Sequence, residues 1–477
     1  MYNKSLVMDY YELTMAYSYF KEGRNNEIAY FDVFYRKNPD NAGFAIFCGL
    51  EQIVDYLTNL HFDKEDIEFL RSKNVFSEDF LTYLSNFKFK GDLYSFKEGS
   101  VMFPYEPIMT IRANLVDAQL VETMLLIEFN HESLIATKTN RIVTSARGRK
   151  IMEFGARRAH GVDASIYGAR AAYIAGAAGS SNTILGKMYN MEVMGTMAHS
   201  YVQSFDTELD AFRAYCNTFP NNALLLVDSY DTLKSGVPNA IIALKELKDK
   251  GYKPLGIRID SGDLAYLSKK ARKMLDEAGL TECIICVSNS LDEYLIKELI
   301  IEQEAPIDLF GVGERLICAK SDPVFGGVYK LGAIEKDSVI IPKIKLSDNV
   351  SKMTIPGFKQ VYRLYDKTGF AKADLITLRD ETLDDGDIEI FDPNFTYKRT
   401  VVEDAKVRPM LNIIIRDGKL VNKLPSLKEI KQYVQLELKT LYDEIKRFDN
   451  PHVYYVDLSQ KLWGLRNDLI HKYKKIN

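Results

Sequence analysis

The chain has 477 residues, of which 46% are hydrophobic and 27% charged, and its formal net charge is −4. That length exceeds what one core fills and predicts roughly two to four domains. The composition excludes disordered and fibrous classes, and a net acidic chain lacks the basic face that phosphate-backbone binding needs, so no nucleic-acid partner is expected.

At the N-terminus, residues 1–20 are aromatic and interrupted by Asp9 and Glu12, which does not read as a signal peptide. No apolar stretch approaches the roughly 20 residues that span a bilayer, so a soluble, cytoplasmic protein without a membrane partner is expected. Residues 28–50 and 91–113 read as strands broken by turns at Lys37-Asn38-Pro39-Asp40-Asn41 and Glu98-Gly99-Ser100. They predict an N-terminal α/β sandwich domain over 1–128, rejoined by strands at about 326–370.

Residues 129–325 keep a regular beat. Apolar runs at 224–227, 255–259, 283–287 and 307–310 lead into Asp228-Ser229-Tyr230-Asp231, Asp260-Ser261-Gly262-Asp263, Ser288-Asn289-Ser290 and Gly311-Val312-Gly313. Helical periodicity fills 240–250, 264–278 and 291–304, with Gly251 and Gly279 where helix C-caps fall. Buried strands alternating with amphipathic helices predict an irregular β/α barrel, or else an open doubly wound sheet, with the site at the C-terminal strand ends in either case. Cys283-x-x-Cys286 lies inside one of these runs, where alternation sends the two sulfurs to opposite faces and makes them core. Five scattered cysteines predict reduced thiols.

The last segment, 385–477, is more charged and is expected to be a mostly helical extension. Ser426-x-x-Glu429 is a capping box, followed by the stripe Leu427, Ile430, Val434, Leu438, Leu441 and Ile445. It predicts a helix packed on the body or on another subunit.

Candidate chemistry gathers at the strand ends. Arg258 and Asp260 project the same way from one strand, an arrangement that grips sugar hydroxyls or a metal ion, or else forms an internal ion pair. Ser288-Asn289-Ser290 and Gly311-Val312-Gly313 join strands to helix N-termini, where free N–H groups favour an anion. His199 follows the apolar run 193–198, expected to be a strand, and can serve as acid, base or nucleophile. Cations concentrate at Lys138, Arg141, Arg147, Arg149, Lys150, Arg157 and Arg158, which suits a polyphosphate ligand.

Taken together with several further stretches, these residues resemble the nicotinate phosphoribosyltransferases, of the type II phosphoribosyltransferase family. The matching stretches are Asp9-Tyr-Tyr-Glu-Leu-Thr-Met-Ala16, Gly43-Phe-Ala-Ile-Phe-Cys-Gly-Leu-Glu51, Glu98-Gly-Ser-Val-Met-Phe-Pro104 and Glu153-Phe-Gly-Ala-Arg-Arg-Ala159. Gly195-Thr-Met-Ala-His199, Arg258-Ile-Asp-Ser-Gly-Asp-Leu264 and Gly326-Gly-Val-Tyr-Lys330 follow in order. The resemblance implies that nicotinate and phosphoribosyl pyrophosphate give nicotinate mononucleotide and pyrophosphate in NAD salvage, with coupled ATP hydrolysis and Mg²⁺. It also implies a homodimer with shared active sites. By position, Tyr11 and Phe154 would flank the pyridine ring, Tyr11 from the partner subunit. Arg157 and Arg258 would meet carboxylate and phosphate groups, and Thr196 would lie beside nicotinate. Asp260 would hold ribose or metal, Asp263 would serve the metal or else cap the next helix, and His199 would carry a phosphoryl group. Lys138, Arg141, Ser288, Asn289 and the Gly311-Val312-Gly313 backbone would bind phosphate or ribose. Glu314 stands where a small hydroxyl residue is expected. Two rivals remain: a nicotinamide-specific enzyme of the same fold, disfavoured by Ser180-Ser181-Asn182 where an acidic residue would suit an amide, and a non-catalytic metabolite-binding scaffold.

Overall fold

The computed structural model describes residues 3–347 and 352–474. Residues 1–2, 348–351 and 475–477, which belong to the expected 1–128, 326–370 and 385–477 segments, lie outside the described residues. The chain divides into two compact units, Met1–Leu134 with Val324–Asn477, and Ile135–Pro323.

The first unit is built on a seven-stranded sheet in the order Val339–Pro342, Val328–Lys336, Ile28–Phe34, Met109–Asn114, Asp92–Ser95, Asn412–Arg416, Lys419–Leu420. All neighbours are antiparallel. Ile28–Phe34 is buried along nearly its whole length, and its one charged residue, Asp32, is paired with the buried Lys359 at 2.8 Å. The segment 385–477 departs from the helical expectation. Gly386–Phe391, Arg399–Pro409, Asn412–Arg416, Lys419–Leu420 and Tyr455–Leu458 are strands, alongside the helices Leu427–Lys439 and Gln460–Lys474. Its charged residues include exposed positions of strands such as Arg399–Pro409, where the buried Val402 and Ala405 stand three residues apart with Glu403 and Asp404 exposed between them. A spacing of three between buried residues is that of a helix face and is easily taken for one.

A five-stranded sheet in the same unit runs Gly386–Phe391, Arg399–Pro409, Lys359–Tyr365, Ala371–Leu378, Tyr455–Leu458. The helix Leu427–Lys439 carries the expected capping box, with the Glu429 carboxylate accepting the Ser426 N–H at 2.7 Å. Its Glu437 reaches inward to the fully buried Arg363 at 3.0 Å, while Asp374 accepts from Arg363 at 2.9 and 2.7 Å. The helix therefore packs on its own unit.

The second unit is a six-stranded parallel sheet in the order Gly179–Ser180, Lys150–Glu153, Leu309–Val312, Ile284–Ser288, Gly256–Ile259, Leu224–Leu226. The order is cyclic in sequence: the last strand pairs with the first. Gly179–Ser180 and Leu224–Leu226 are its two edge strands, with no ladder between them among the described residues. The run 193–198 contributes one bridge, Ser180 to Val193, and no strand; with Gly195 in its middle it is otherwise loop. Helices Val237–Asp249 and Leu264–Glu277 end two residues before Gly251 and Gly279, both at positive φ. The third expected helix begins at Glu293 and continues through a π-helical turn, Glu298–Glu302. Cys283 and Cys286 are both buried free thiols.

No helix among the described residues is long and apolar enough to cross a membrane.

Asp457, on Tyr455–Leu458, is buried, and desolvation with the nearby Asp392 pushes its carboxyl up to about 7. The folded state therefore holds a proton that the unfolded state releases near pH 4, and this site lowers stability as pH rises through that window. Asp457→Asn is expected to raise the melting temperature clearly at pH 8 and little at pH 5, read by thermal denaturation at both. An equal gain at both values would place the effect outside this carboxyl.

Candidate functional site

Adjacent strand ends of the parallel sheet surround a cleft of about 700 Å³, open to solvent and lined by Phe154, Arg157, Arg258, Asp260, Ser288, Asn289, Gly311 and Gly313 among others. Parallel pairing sets its geometry, because register-matched strands release their chains on one side. Arg258 and Asp260 emerge at the end of Gly256–Ile259. Arg258 Nη1 donates to Thr196 Oγ1 at 2.6 Å, and its Nη2 lies 3.9 Å from Asp260 Oδ1. Arg258 Nε is buried without a hydrogen-bond partner. Asp260 Oδ1 accepts the hydroxyl of Ser288 from the next strand. Asn289 and Ser290 follow with φ of 92° and 52°, a left-handed turn at the cleft wall.

His199 opens the helix His199–Gln203 and is 39% exposed. Its Nδ1 lies 3.0 Å from Ser229 Oγ. Its Nε2 lies 3.9 Å from Asp228 Oδ1 and 4.0 Å from Asp260 Oδ2. An imidazole oriented at one nitrogen and facing carboxylates at the other is built to hold or pass charge.

Across the cleft, the Phe154 N–H donates to Val312 O at 2.8 Å, continuing the ladder one bond past Lys150–Glu153. Its ring lies over Gly311, where a Cβ would sit 2.3 Å from the ring. Glycine here makes room for an aromatic wall. Arg157 and Arg158 form an exposed turn beyond it. Glu314 lines the cleft, but its carboxylate bonds Lys320 at 2.9 Å, and that bond holds it below the usual range.

Other expected site residues lie elsewhere or are otherwise engaged. Lys138 and Arg141 are buried on Glu293 at 2.8 and 3.0 Å, with Lys138 also donating to Ser321, so neither lines the cleft. A buried carboxylate at the head of Glu293–Lys297 draws both cations inward. Asp263 caps Leu264–Glu277 through the Tyr266 N–H at 2.9 Å and is a helix cap, not a cleft carboxylate. Tyr11 belongs to the other unit, 44% exposed on the helix Tyr10–Lys21; desolvation, then Glu122, raises its hydroxyl pKa. Val312 is buried and offers only backbone.

Asp228 and Ser229 were not singled out from the sequence as site residues. Asp228 is 1% exposed, and its Oδ2 accepts the Asp260 N–H at 2.9 Å and the Ser261 hydroxyl at 2.6 Å. Its Oδ1 is buried without a hydrogen-bond partner, on the side facing His199. The available signal was positional: Asp228 follows its apolar run just as Asp260 and Ser288 end theirs.

Among the described residues no three His, Cys, Asp or Glu side chains converge as a metal site. Mg²⁺ needs no such cage when substrate phosphates supply ligands, and one or two carboxylates suffice. Asp260, with an oxygen on the cleft side and Asp228 steadying its backbone, fits that demand.

The profile of the nicotinate phosphoribosyltransferase (NAPRTase) family matches residues 149–368. Profiles of the NAPRTase N-terminal and C-terminal domains match 6–130 and 358–466. The nicotinate phosphoribosyltransferase of Bacillus subtilis is 44% identical over 98% of this chain and 96% of its own. The chain belongs to the nicotinate phosphoribosyltransferase family. The Caenorhabditis elegans member is 35% identical over 97% of this chain and 93% of its own. The crystal structure of human nicotinic acid phosphoribosyltransferase superposes with a TM-score of 0.85 at 29% identity, covering 98% of this chain and 100% of that one. A Pyrococcus furiosus nicotinate-nucleotide pyrophosphorylase shares the fold, with a TM-score of 0.68 at 23% identity over 91% of this chain and 94% of that one.

Asp228→Ala removes the acceptor of two donors beneath the family site. It is expected to lower unfolding stability by about 1–3 kcal/mol, while Asp228→Asn, keeping one oxygen, loses less. Urea unfolding of both variants reads this; equal losses would show that volume, not hydrogen bonding, is what Asp228 supplies.

Proposed function

We propose that this protein is a nicotinate phosphoribosyltransferase, converting nicotinate and phosphoribosyl pyrophosphate to nicotinate mononucleotide and pyrophosphate with coupled ATP hydrolysis, in NAD salvage. The observation that carries the reading is the joining of Arg258, Asp260 and Ser288 at adjacent strand ends, facing the Phe154 ring, with His199 Nε2 4.0 Å from Asp260.

The pyridine nitrogen attacks the anomeric carbon of the sugar as the bond to pyrophosphate breaks. Positive charge grows on the sugar and negative charge on the leaving group, so catalysis rests on alignment and fixed charge. In this reading Phe154 orients the ring, joined by Tyr11 from the second subunit of a homodimer. Arg157 and Arg258 receive the substrate carboxylate and phosphate, and Thr196, held by Arg258, lies beside nicotinate. Ser288, Asn289 and the backbone N–H groups of the Gly311–Gly313 turn take up phosphate and ribose. Asp260 holds the ribose hydroxyls, and with the phosphates of the substrate it would hold Mg²⁺. When bound, that ion neutralises charge growing on pyrophosphate. His199 Nε2 accepts the γ-phosphoryl group of ATP as its bond to ADP breaks, and water later cleaves the P–N bond to release inorganic phosphate, with Ser229 fixing the ring and Asp228 and Asp260 facing the reacting nitrogen. The reading places the enzyme in the cytoplasm, acting on small molecules without nucleic acid.

Pyrophosphate release from nicotinate and phosphoribosyl pyrophosphate with Mg²⁺, with and without ATP, tests the proposal. A clear preference for nicotinamide would reassign the substrate, and no release under either condition would leave a binding protein. His199→Ala is expected to abolish stimulation by ATP while slow ATP-independent transfer persists; undiminished coupling would refute the phosphoryl role. Asp260→Asn should lower kcat by about 10²-fold or more with the melting temperature retained. Loss of the folded state instead would assign Asp260 to an internal ion pair.

A further inference from the structure

Glu153 ends the strand Lys150–Glu153 and is fully buried, yet it does not line the cleft. One carboxylate oxygen, Oε1, accepts the backbone N–H of Gly155. The other, Oε2, accepts the Ser180 hydroxyl at 2.6 Å. Ser180, also fully buried, ends the neighbouring strand, and its Oγ accepts the Asn182 N–H at 3.0 Å. The Glu153 carbonyl takes the Ser181 N–H at 2.9 Å. Donors run one way, from Asn182 through Ser180 to the carboxylate, with Gly155 as the second donor. An ionised carboxylate satisfies both; a protonated one would turn an O–H toward a donor. Burial raises the Glu153 pKa, and the bonds from Ser180 and Gly155 act against that rise.

The network has little room to relax. A Cβ on Gly155 would lie 2.5 Å from Ile317 and 2.7 Å from Glu153 Oε1. A Cβ on Gly179 would lie 2.4 Å from Glu192 O. One buried carboxylate thus ties together two turns on adjacent strand ends. The first carries Phe154 and Arg157. The second carries Ser181 and Asn182.

We propose that Glu153 and Ser180 are positioning residues of the pyridine-ring subsite, setting the Phe154 turn and the Ser181-Asn182 turn without touching substrate. This rests on the reading that nicotinate binds against Phe154. Charge-assisted bonds to two backbone segments fix the ring wall in place before substrate arrives, which is the general means by which supporting groups aid alignment. Their loss should therefore appear in the binding of nicotinate ahead of the chemistry at the sugar.

The test is steady-state kinetics of Glu153→Gln, Ser180→Ala and the double variant, with thermal melts. In Glu153→Gln the amide keeps one acceptor oxygen for two donors. KM for nicotinate is expected to rise about tenfold, with kcat and KM for phosphoribosyl pyrophosphate within about twofold. The double variant should lose no more than the worse single, because both cut one chain. Unchanged KM for nicotinate, an equal rise in both KM values, or a loss confined to melting temperature would each overturn the proposal. Should Glu153→Gln fail to fold, Ser180→Ala decides by the same criteria. Should the wild-type protein release no pyrophosphate from nicotinate, the functional reading fails, and a crystal structure of Ser180→Ala decides this one. A displaced Phe154 ring would support it, and an unmoved ring would overturn it.

Discussion

Leu309–Val312 pairs with Lys150–Glu153, and the site of this protein depends on that ladder. The pairing brings the last strand of the parallel sheet beside Lys150–Glu153, far from it in sequence. Its final bond, from Phe154 N–H to Val312 O, extends past the strand end and lays the aromatic ring over Gly311. A sheet left open at this position would keep Arg258, Asp260 and Ser288 together, since those strands are neighbours through short crossovers. It would lose the aromatic wall opposite them.

Buried carboxylates at the C-terminal strand ends of the parallel sheet hold backbone. Asp228 accepts from the Asp260 N–H, and Glu153 from the Gly155 N–H. Strand ends leave unpaired N–H groups, and a buried acceptor that answers them offsets its own desolvation. Asp260, by contrast, lines the cleft, and even there the Ser288 hydroxyl bonds one oxygen. The polar strand ends are thus layered: one carboxylate at the cleft, others beneath it that fix where the chain turns.

The unit formed by residues 1–134 and 324–477 is stabilised on different terms. Arg363 is fully buried between Asp374 and Glu437 and also donates to the Val101 carbonyl at 3.0 Å. Breaking such a cluster strands an uncompensated charge, so it specifies one packing of helix on sheet more than it adds net stability.

The sequence by itself determined the parallel sheet, the helix caps at Gly251, Gly279 and Ser426, and the core placement of Cys283 and Cys286, because each follows from local periodicity or a single φ preference. Its ordered motifs also determined the family, and they placed Arg258, Asp260, Ser288 and His199 at strand ends or beside them. Tertiary structure alone decided which cations are free: Lys138 and Arg141 read as phosphate ligands until Glu293, remote in sequence, is seen to hold both. It decided that Asp263 caps a helix, that 193–198 is loop, and that five stretches of the C-terminal segment are strand. It brought Asp228 beneath Asp260 and Ser180 against Glu153. Composition records how many charges a chain carries, but a charge is assigned to ligand, cap or partner only by which neighbours folding places within hydrogen-bond reach.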